Sequence, residues 1–214
     1  MAGKTAPTSA KWAASLGIAA VCVGLLATLY FAYLKPSEDD RFAMCRDTRL
    51  AGGTDVIGGP FELTDENGAR VTDADVITGP TLVYFGYSYC PDVCPLDGVR
   101  NAEAATLLRD AGKTVGNLFI TIDPERDTPE VMKEFTSYFD EEMIGLTGSS
   151  EDISKAAKTY RVFYSKNGNG EDYLMDHSTF TYLMMPETGL AEIIRRDWSA
   201  EKVAEKVSCF IAQS

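Results

Sequence analysis

The stretch TLVYFGYSYCPDVCPLDG occupies residues 81–98. Its first five residues, TLVYF, are an apolar run rich in β-formers, the pattern of a strand buried on both faces. Cys90 and Cys94 follow at its end, hemmed in by Pro91 and Pro95. The next residues, PLDGVRNAEAATLLRDAG (95–112), set Val99, Ala102, Leu107 and Leu108 at helical spacing and close on Gly112. Strand, cysteine-bearing turn and helix are therefore the expected local order. Residues four apart share a helical face, and a helix N-terminus lowers a thiol pKa. The pair could be a disulfide staple, a redox couple or two arms of a metal site.

The flanking sequence supplies the rest of the fold. IGGPFELTDENGARVTDADV (57–76) alternates Phe61 and Leu63 with polar neighbours around the turn at Glu66, Asn67 and Gly68, which predicts a hairpin. VGNLFITID (115–123) predicts a second buried strand. DTPEVMKEFTSYFD (127–140) opens with an Asp/Thr cap and Pro129 in the first turn, as a helix should. IGLTG (144–148) predicts a short strand and SSEDISKAAKTYR (149–161) a capped helix. VFYSKNGNGEDYLM (162–175) predicts a hairpin with an Asn-Gly-rich loop. STFTYLMM (178–185) and LAEIIRR (190–196) form another across the turn at 186–189, and Ser199 caps a last helix over 200–212. Strands alternating with helices imply a parallel segment, and the late hairpin adds antiparallel strands. The expected class is α/β: a thioredoxin-like mixed central sheet flanked by helices, with an N-terminal β-hairpin and its chemistry at the first strand-to-helix turn.

Ahead of this domain, AASLGIAAVCVGLLATLYFAYL (13–34) holds no charged residue. As a helix at ~1.5 Å per residue it would run roughly 33 Å, enough to cross a hydrocarbon core of about 30 Å. Trp12, Tyr30 and Tyr33 lie where amphipathic rings favour the interface. A cleaved signal has a shorter apolar core and a small-residue cleavage site, whereas Lys35, Pro36, Ser37 and three acids follow here. The segment is read as one uncleaved transmembrane helix. Expected boundaries are a cytoplasmic N-terminus over 1–12, the anchor over 13–34, a tether over 35–53 and the domain over 54–214. Lys4 and Lys11 precede the anchor with no acid among them, and Lys35 and Arg41 after it are diluted by Glu38, Asp39 and Asp40. That bias favours a translocated domain. No long Arg- and Ser-rich stretch precedes the anchor, which favours a bacterial inner membrane, with the domain in the periplasm.

The protein has 214 residues and a net charge of −12. All 32 acidic residues lie beyond the anchor with 18 of the 20 basic ones, so that part carries −14. A nucleic-acid binder should show a basic face, and this chain does not. The acidic surface reads as solvated, with a basic docking partner as the sharper alternative.

Two thiolates are too few for a structural zinc site, which takes four ligands, whereas Cu(I) is satisfied by few ligands and selected by thiolates. A third ligand is sought, and His177 is the only histidine. It lies in LMDHSTF, at the start of a predicted strand expected to share a sheet with the strand leading to Cys90. A lone histidine is ordinarily a surface or satisfied core group; the expected sheet and a translocated setting favour the ligand reading here. Asp176 beside it could hold the imidazole, although adjacent strand residues point to opposite faces. Asp123, Arg126 and Asp127 read as a strand exit and helix cap, or as carboxylates near the site. Asp92 reads as a turn residue.

YFGYSYCPDVCP (84–95), ITIDPERDTPE (120–130), GLTG (145–148) and DYLMDHSTFTYL (172–183) occur in this order. Together they resemble the Sco/SenC family of copper-binding cytochrome c oxidase assembly proteins, from about residue 58 to 196 and on into the last helix. The resemblance implies a thioredoxin-like fold and copper, as Cu(I) or Cu(II), bound by Cys90, Cys94 and His177. It implies delivery of copper to, or reduction of cysteines at, the dinuclear copper site of cytochrome c oxidase subunit II. Other periplasmic copper chaperones or thiol reductants are further expected partners. The competing reading is a thiol-disulfide oxidoreductase using Cys90 and Cys94. Cys45 and Cys209 are expected in an oxidising compartment, where they either pair or stay as two unrelated buried thiols. Cys22 lies in the expected span and is read as inert.

Overall fold

The computed structural model describes residues 8–30, 41–47 and 56–214. The chain divides into two compact units, Met1–Arg41 and Phe42–Ser214. In the first, α1 spans Thr8–Leu29. Its side chains are described at residue 18 and from 20 to 30, and all of these are exposed. Among the described residues no helix is long and apolar enough to cross a membrane; the expected anchor over 13–34 lies partly outside them.

The second unit is built on a seven-stranded sheet. Its elements are β1 (Glu62–Asp65), β2 (Arg70–Thr72), α2 (Asp73–Val76), β3 (Thr81–Gly86), α3 (Val93–Asp110), β4 (Gly116–Thr121), α4 (Pro129–Ser137) and β5 (Ile144–Thr147). These are followed by α5 (Ser150–Thr159), β6 (Tyr164–Asn167), β7 (Leu174–His177), β8 (Thr181–Met185), β9 (Gly189–Ile194) and α6 (Ala200–Ala212). The strand order is β2-β1-β5-β4-β3-β8-β9, and among the described residues β6 and β7 pair only with each other. β3, β4 and β5 run parallel, while β1 joins β5, and β8 joins β3 and β9, antiparallel. The predicted hairpin over 57–76 is therefore an edge of the sheet, closed by the short α2.

β3 is the reference strand for the site, and all six of its residues are buried. Its side chains feed two cores. Leu82 joins Leu183, Leu108 of α3 and Val203, Val207 and Phe210 of α6. Val83 and Phe85 face the other way, where Phe85 stacks 5.2 Å from Tyr160 at the end of α5. Each large apolar side chain buried this way contributes about 1.5–3 kcal/mol, so the position of β3 is strongly determined.

Two local placements differ from expectation. α3 begins at Val93 rather than at 95, so Cys94 lies inside its first turn. Pro95 is no obstacle, because the first-turn amides have no intrahelical acceptor to lose. His177 closes β7 of the small sheet; the strand that pairs with β3 starts at Thr181. Part of the expected tether is docked: Phe42 and Cys45 are buried in the second unit, while 35–40 and 48–53 lie outside the described residues.

Candidate metal centre

Each side chain of the site is delivered by a different element. The loop leaving β3 carries Cys90, the first turn of α3 carries Cys94, and β7 carries His177. One thiol or imidazole donor atom from each lies within 4.8 Å of the other two. Cys94 Sγ is 3.4 Å from His177 Nε2. A first-row ion held about 2.0–2.3 Å from N and S donors spaces three such atoms by about 3.5–4 Å, so the set fits one soft metal ion.

The two sulfurs differ sharply. The Cys94 backbone N–H donates to Cys90 Sγ at 3.3 Å. Hydrogen bonding from the Cys94 side chain, aided by the backbone amides of Asp92 and Cys94, holds the Cys90 thiol down at about 4. Burial pushes the Cys94 thiol up, reinforced by the neighbouring Cys90 sulfur. The metal-free site thus pairs a thiolate at Cys90 with a buried thiol at Cys94.

His177 is oriented for ligation. Its Nδ1 lies 2.8 Å from the Ser178 carbonyl oxygen. That oxygen only accepts, so Nδ1 carries the proton and Nε2 presents its lone pair to the sulfurs. Asp176, the alternative partner for the ring, plays no such part, as the opposite faces of adjacent strand residues imply: its carboxylate accepts from Asn167 Nδ2 at 3.0 Å. The rings of Tyr84 and Tyr87 stand edge-on to the imidazole at 6.3 and 5.9 Å and form a slot for it.

Gly86 makes the close approach possible. A Cβ there would lie 2.7 Å from the Phe119 ring, 2.8 Å from Tyr84 and 3.0 Å from Cys94 Sγ. Behind Cys94, the Tyr84 hydroxyl donates to Asp97 Oδ2 at 3.0 Å, and Asp97 pairs with Arg100 at 3.1 Å and Arg196 at 3.4 Å. Arg100 reaches Thr181 Oγ1 at 2.8 Å, tying α3 to the start of β8. Sequence reasoning missed Tyr84, Tyr87 and Asp97. The available signal was spacing: Asp97 follows Cys94 by three residues on the same helix, and Tyr84 precedes Gly86 by two on β3.

Asp127 is neither ligand nor cap. Thr128 caps α4, accepting from the Val131 amide at 3.4 Å. The fully buried Asp127 carboxylate instead accepts from the Ser88 amide at 3.1 Å and from the hydroxyls of Ser88 and Thr121. It thereby braces the loop into Cys90.

These features define a thioredoxin-like protein whose helix-start dithiol is completed by an imidazole from a neighbouring hairpin. The SCO1/SenC family model matches residues 50–212, and the chain belongs to that family. Protein SenC of Rhodobacter capsulatus is 50% identical over 206 residues, covering 95% of this chain and 91% of its own. The copper-bound crystal structure of Arabidopsis thaliana ScoI is 38% identical with a TM-score of 0.71, over 74% of this chain and 99% of that one. Bradyrhizobium japonicum ScoI, also solved with copper bound, is 41% identical with a TM-score of 0.65, over 71% and 98%.

Proposed function

We propose that this chain is a copper metallochaperone that binds one copper ion through Cys90, Cys94 and His177. Its role is to support assembly of the dinuclear copper site of cytochrome c oxidase subunit II. The observation that carries the reading is the convergence of two sulfurs and one imidazole within 4.8 Å. Relatives solved with copper bound support the choice of metal. Cu(I) suits the thiolates, and the imidazole extends the set toward Cu(II). Copper is the cargo: thiolates of the target displace those of this chain one at a time, so the ion is never released to solvent. The uncharged stretch over 13–34 supports a single-pass anchor in a bacterial inner membrane, with residues 1–12 cytoplasmic and the domain, joined by the tether, in the periplasm.

The test is an anaerobic Cu(I) titration of the reduced full chain against a competing chelator. One copper per chain is expected. Cys90→Ala and Cys94→Ala should each abolish tight uptake, and His177→Ala should weaken it strongly. Unchanged affinity in His177→Ala would remove His177 from the ligand set.

A second reading is favoured by the asymmetry of the thiols. The Cys90 thiolate would attack a target disulfide and release one target thiolate; Cys94, deprotonating, would then attack the mixed disulfide and release the second. The target gains two electrons and this chain becomes the Cys90–Cys94 disulfide. His177→Ala separates the activities, since dithiol exchange survives where tight copper binding does not.

A further inference from the structure

Among the described residues, the hairpin that carries His177 belongs to no larger sheet, because β6 and β7 pair only with each other. No backbone ladder therefore holds the imidazole over the sulfurs. At its base the hairpin is closed by Ser178 and Phe163, whose backbone amide and carbonyl meet at 2.9 Å. Something must fix the rest of it against the thiol loop.

Strand parity identifies what does. Side chains two apart share a face, so the face of His177 also carries Met175 and, just before β7, Tyr173. Leu174 and Asp176 point outward and are exposed. The Met175 amide donates to the Tyr87 hydroxyl oxygen at 3.2 Å. Tyr173 is only 5% exposed and donates to Asp123 Oδ1 at 2.6 Å. Asp123 Oδ2 holds Arg126 Nε at 2.6 Å. The Arg126 guanidinium lies 3.7 Å from the Tyr173 ring centre and 4.5 Å from that of Tyr89, the residue before Cys90. It also donates to the Glu171 carbonyl at 3.3 Å. Lys166 of β6 adds an ion pair with Glu125 at 3.1 Å. Asp123 and Arg126 follow β4, which is in parallel register with β3 from Gly116 to Thr121. The hairpin is thus referenced to the same frame that carries the cysteines.

We propose that Tyr173, Asp123 and Arg126 are positioning residues that latch the β6–β7 hairpin to the thiol loop and so set the fraction of molecules in which His177 is in place to ligate. The inference rests on the copper-binding reading above. Apparent affinity scales with the population of the competent arrangement, so loosening the latch weakens copper binding only through His177. That dependence distinguishes a latch from a generally structural tyrosine.

The experiment compares the full chain with Tyr173→Phe, His177→Ala and the double variant, with Arg126→Gln as a second probe of the same contact. The lost hydrogen bond has a carboxylate acceptor that is itself held by Arg126, and bonds to charged groups are the stronger ones, so a change of about tenfold or more is expected. In the reduced, metal-free chain, amide hydrogen exchange should accelerate across β6 and β7 and stay unchanged in β3 and β4. In the Cu(I) titration, Tyr173→Phe should lose up to about tenfold in affinity in the native background and less than about twofold beside His177→Ala. Arg126→Gln should follow the same pattern. Unchanged hairpin exchange, unchanged affinity, or an equal loss in both backgrounds overturns the latch. A wild-type chain that takes up no copper fails the functional reading instead, and the exchange measurement alone then decides whether the hairpin is latched.

Discussion

At the scale of single residues, two cysteines of identical chemistry are made unequal by their surroundings. Cys90 Sγ collects hydrogen bonds from the Cys94 side chain and nearby donors and is held near 4, whereas burial keeps Cys94 protonated. The thiolate is the nucleophile, which predicts a specific alkylation profile for the reduced, metal-free chain. Iodoacetamide should modify Cys90 before Cys94, with a rate nearly flat from pH 9 to about 5. The rate should fall only as pH drops through the Cys90 value. An unperturbed thiol, near 8.5, would already lose about tenfold per pH unit below 8. Mass spectrometry of the modified peptides against pH checks this, and an ordinary profile at Cys90 refutes it. The three candidate ligands were legible in the sequence because cysteine and histidine are scarce and chemically distinctive. Tyr84 and Asp97 were not, because an aromatic in an apolar run looks like core and an acid in a helix looks solvated. Only the fold reveals that they meet behind Cys94.

At the scale of elements, the site depends on the loop between β3 and α3, and that loop is held by a residue from another turn. Asp127 follows β4, yet its carboxylate takes the Ser88 amide and two hydroxyls, and its own carbonyl takes the Thr147 hydroxyl at 2.6 Å. Asp127→Ala would leave the partly buried donors of Ser88 and the buried hydroxyl of Thr121 unmatched. Unsatisfied buried groups cost about 1–3 kcal/mol each, so a loss of about 2–4 kcal/mol is expected for the cluster. Urea unfolding should show a lower midpoint at unchanged slope, and a change under about 0.5 kcal/mol would deny the brace. The strand-turn-helix order around the cysteines was readable from periodicity alone. The start of α3 was not, because Pro95 looks like a helix boundary and is in fact harmless in a first turn. The membership of His177 in β7 was equally hidden, since the runs over 162–175 and 178–185 are short and their pairing depends on contacts made far along the chain.

At the scale of the whole molecule, the alternation of strands and helices was enough to read a mixed sheet, but not its order. Nothing local in 57–76 says that β1 pairs with β5 rather than with β3; that choice belongs to packing on α5. The two cores divide the tasks, although α3 reaches both, with Cys94 in one and Leu108 in the other. The cysteines of the candidate metal centre belong to one. The other holds the Cys45–Cys209 disulfide, with Phe42 stacked 5.2 Å from Phe210. Around that bridge, Arg46 Nε donates to the Ala191 carbonyl at 2.9 Å, the Asp47 amide to Glu192 at 2.6 Å and Lys206 to Asp47 at 2.6 Å. The segment over 42–47 is thereby fastened to β9 and α6. The bridge joins residues 164 apart, and closing so long a loop limits the unfolded chain strongly, with native disulfides typically contributing about 2–5 kcal/mol. The Cys45→Ser, Cys209→Ser double variant should therefore melt about 5–20 °C lower for a domain of this size. Copper affinity should change by less than about twofold, because sites without shared partners act almost independently. Calorimetry and the Cu(I) titration on the same preparation check both halves. A loss of affinity in step with stability would mean that the two cores are coupled through the sheet and that the bridge belongs to the metal centre's support after all.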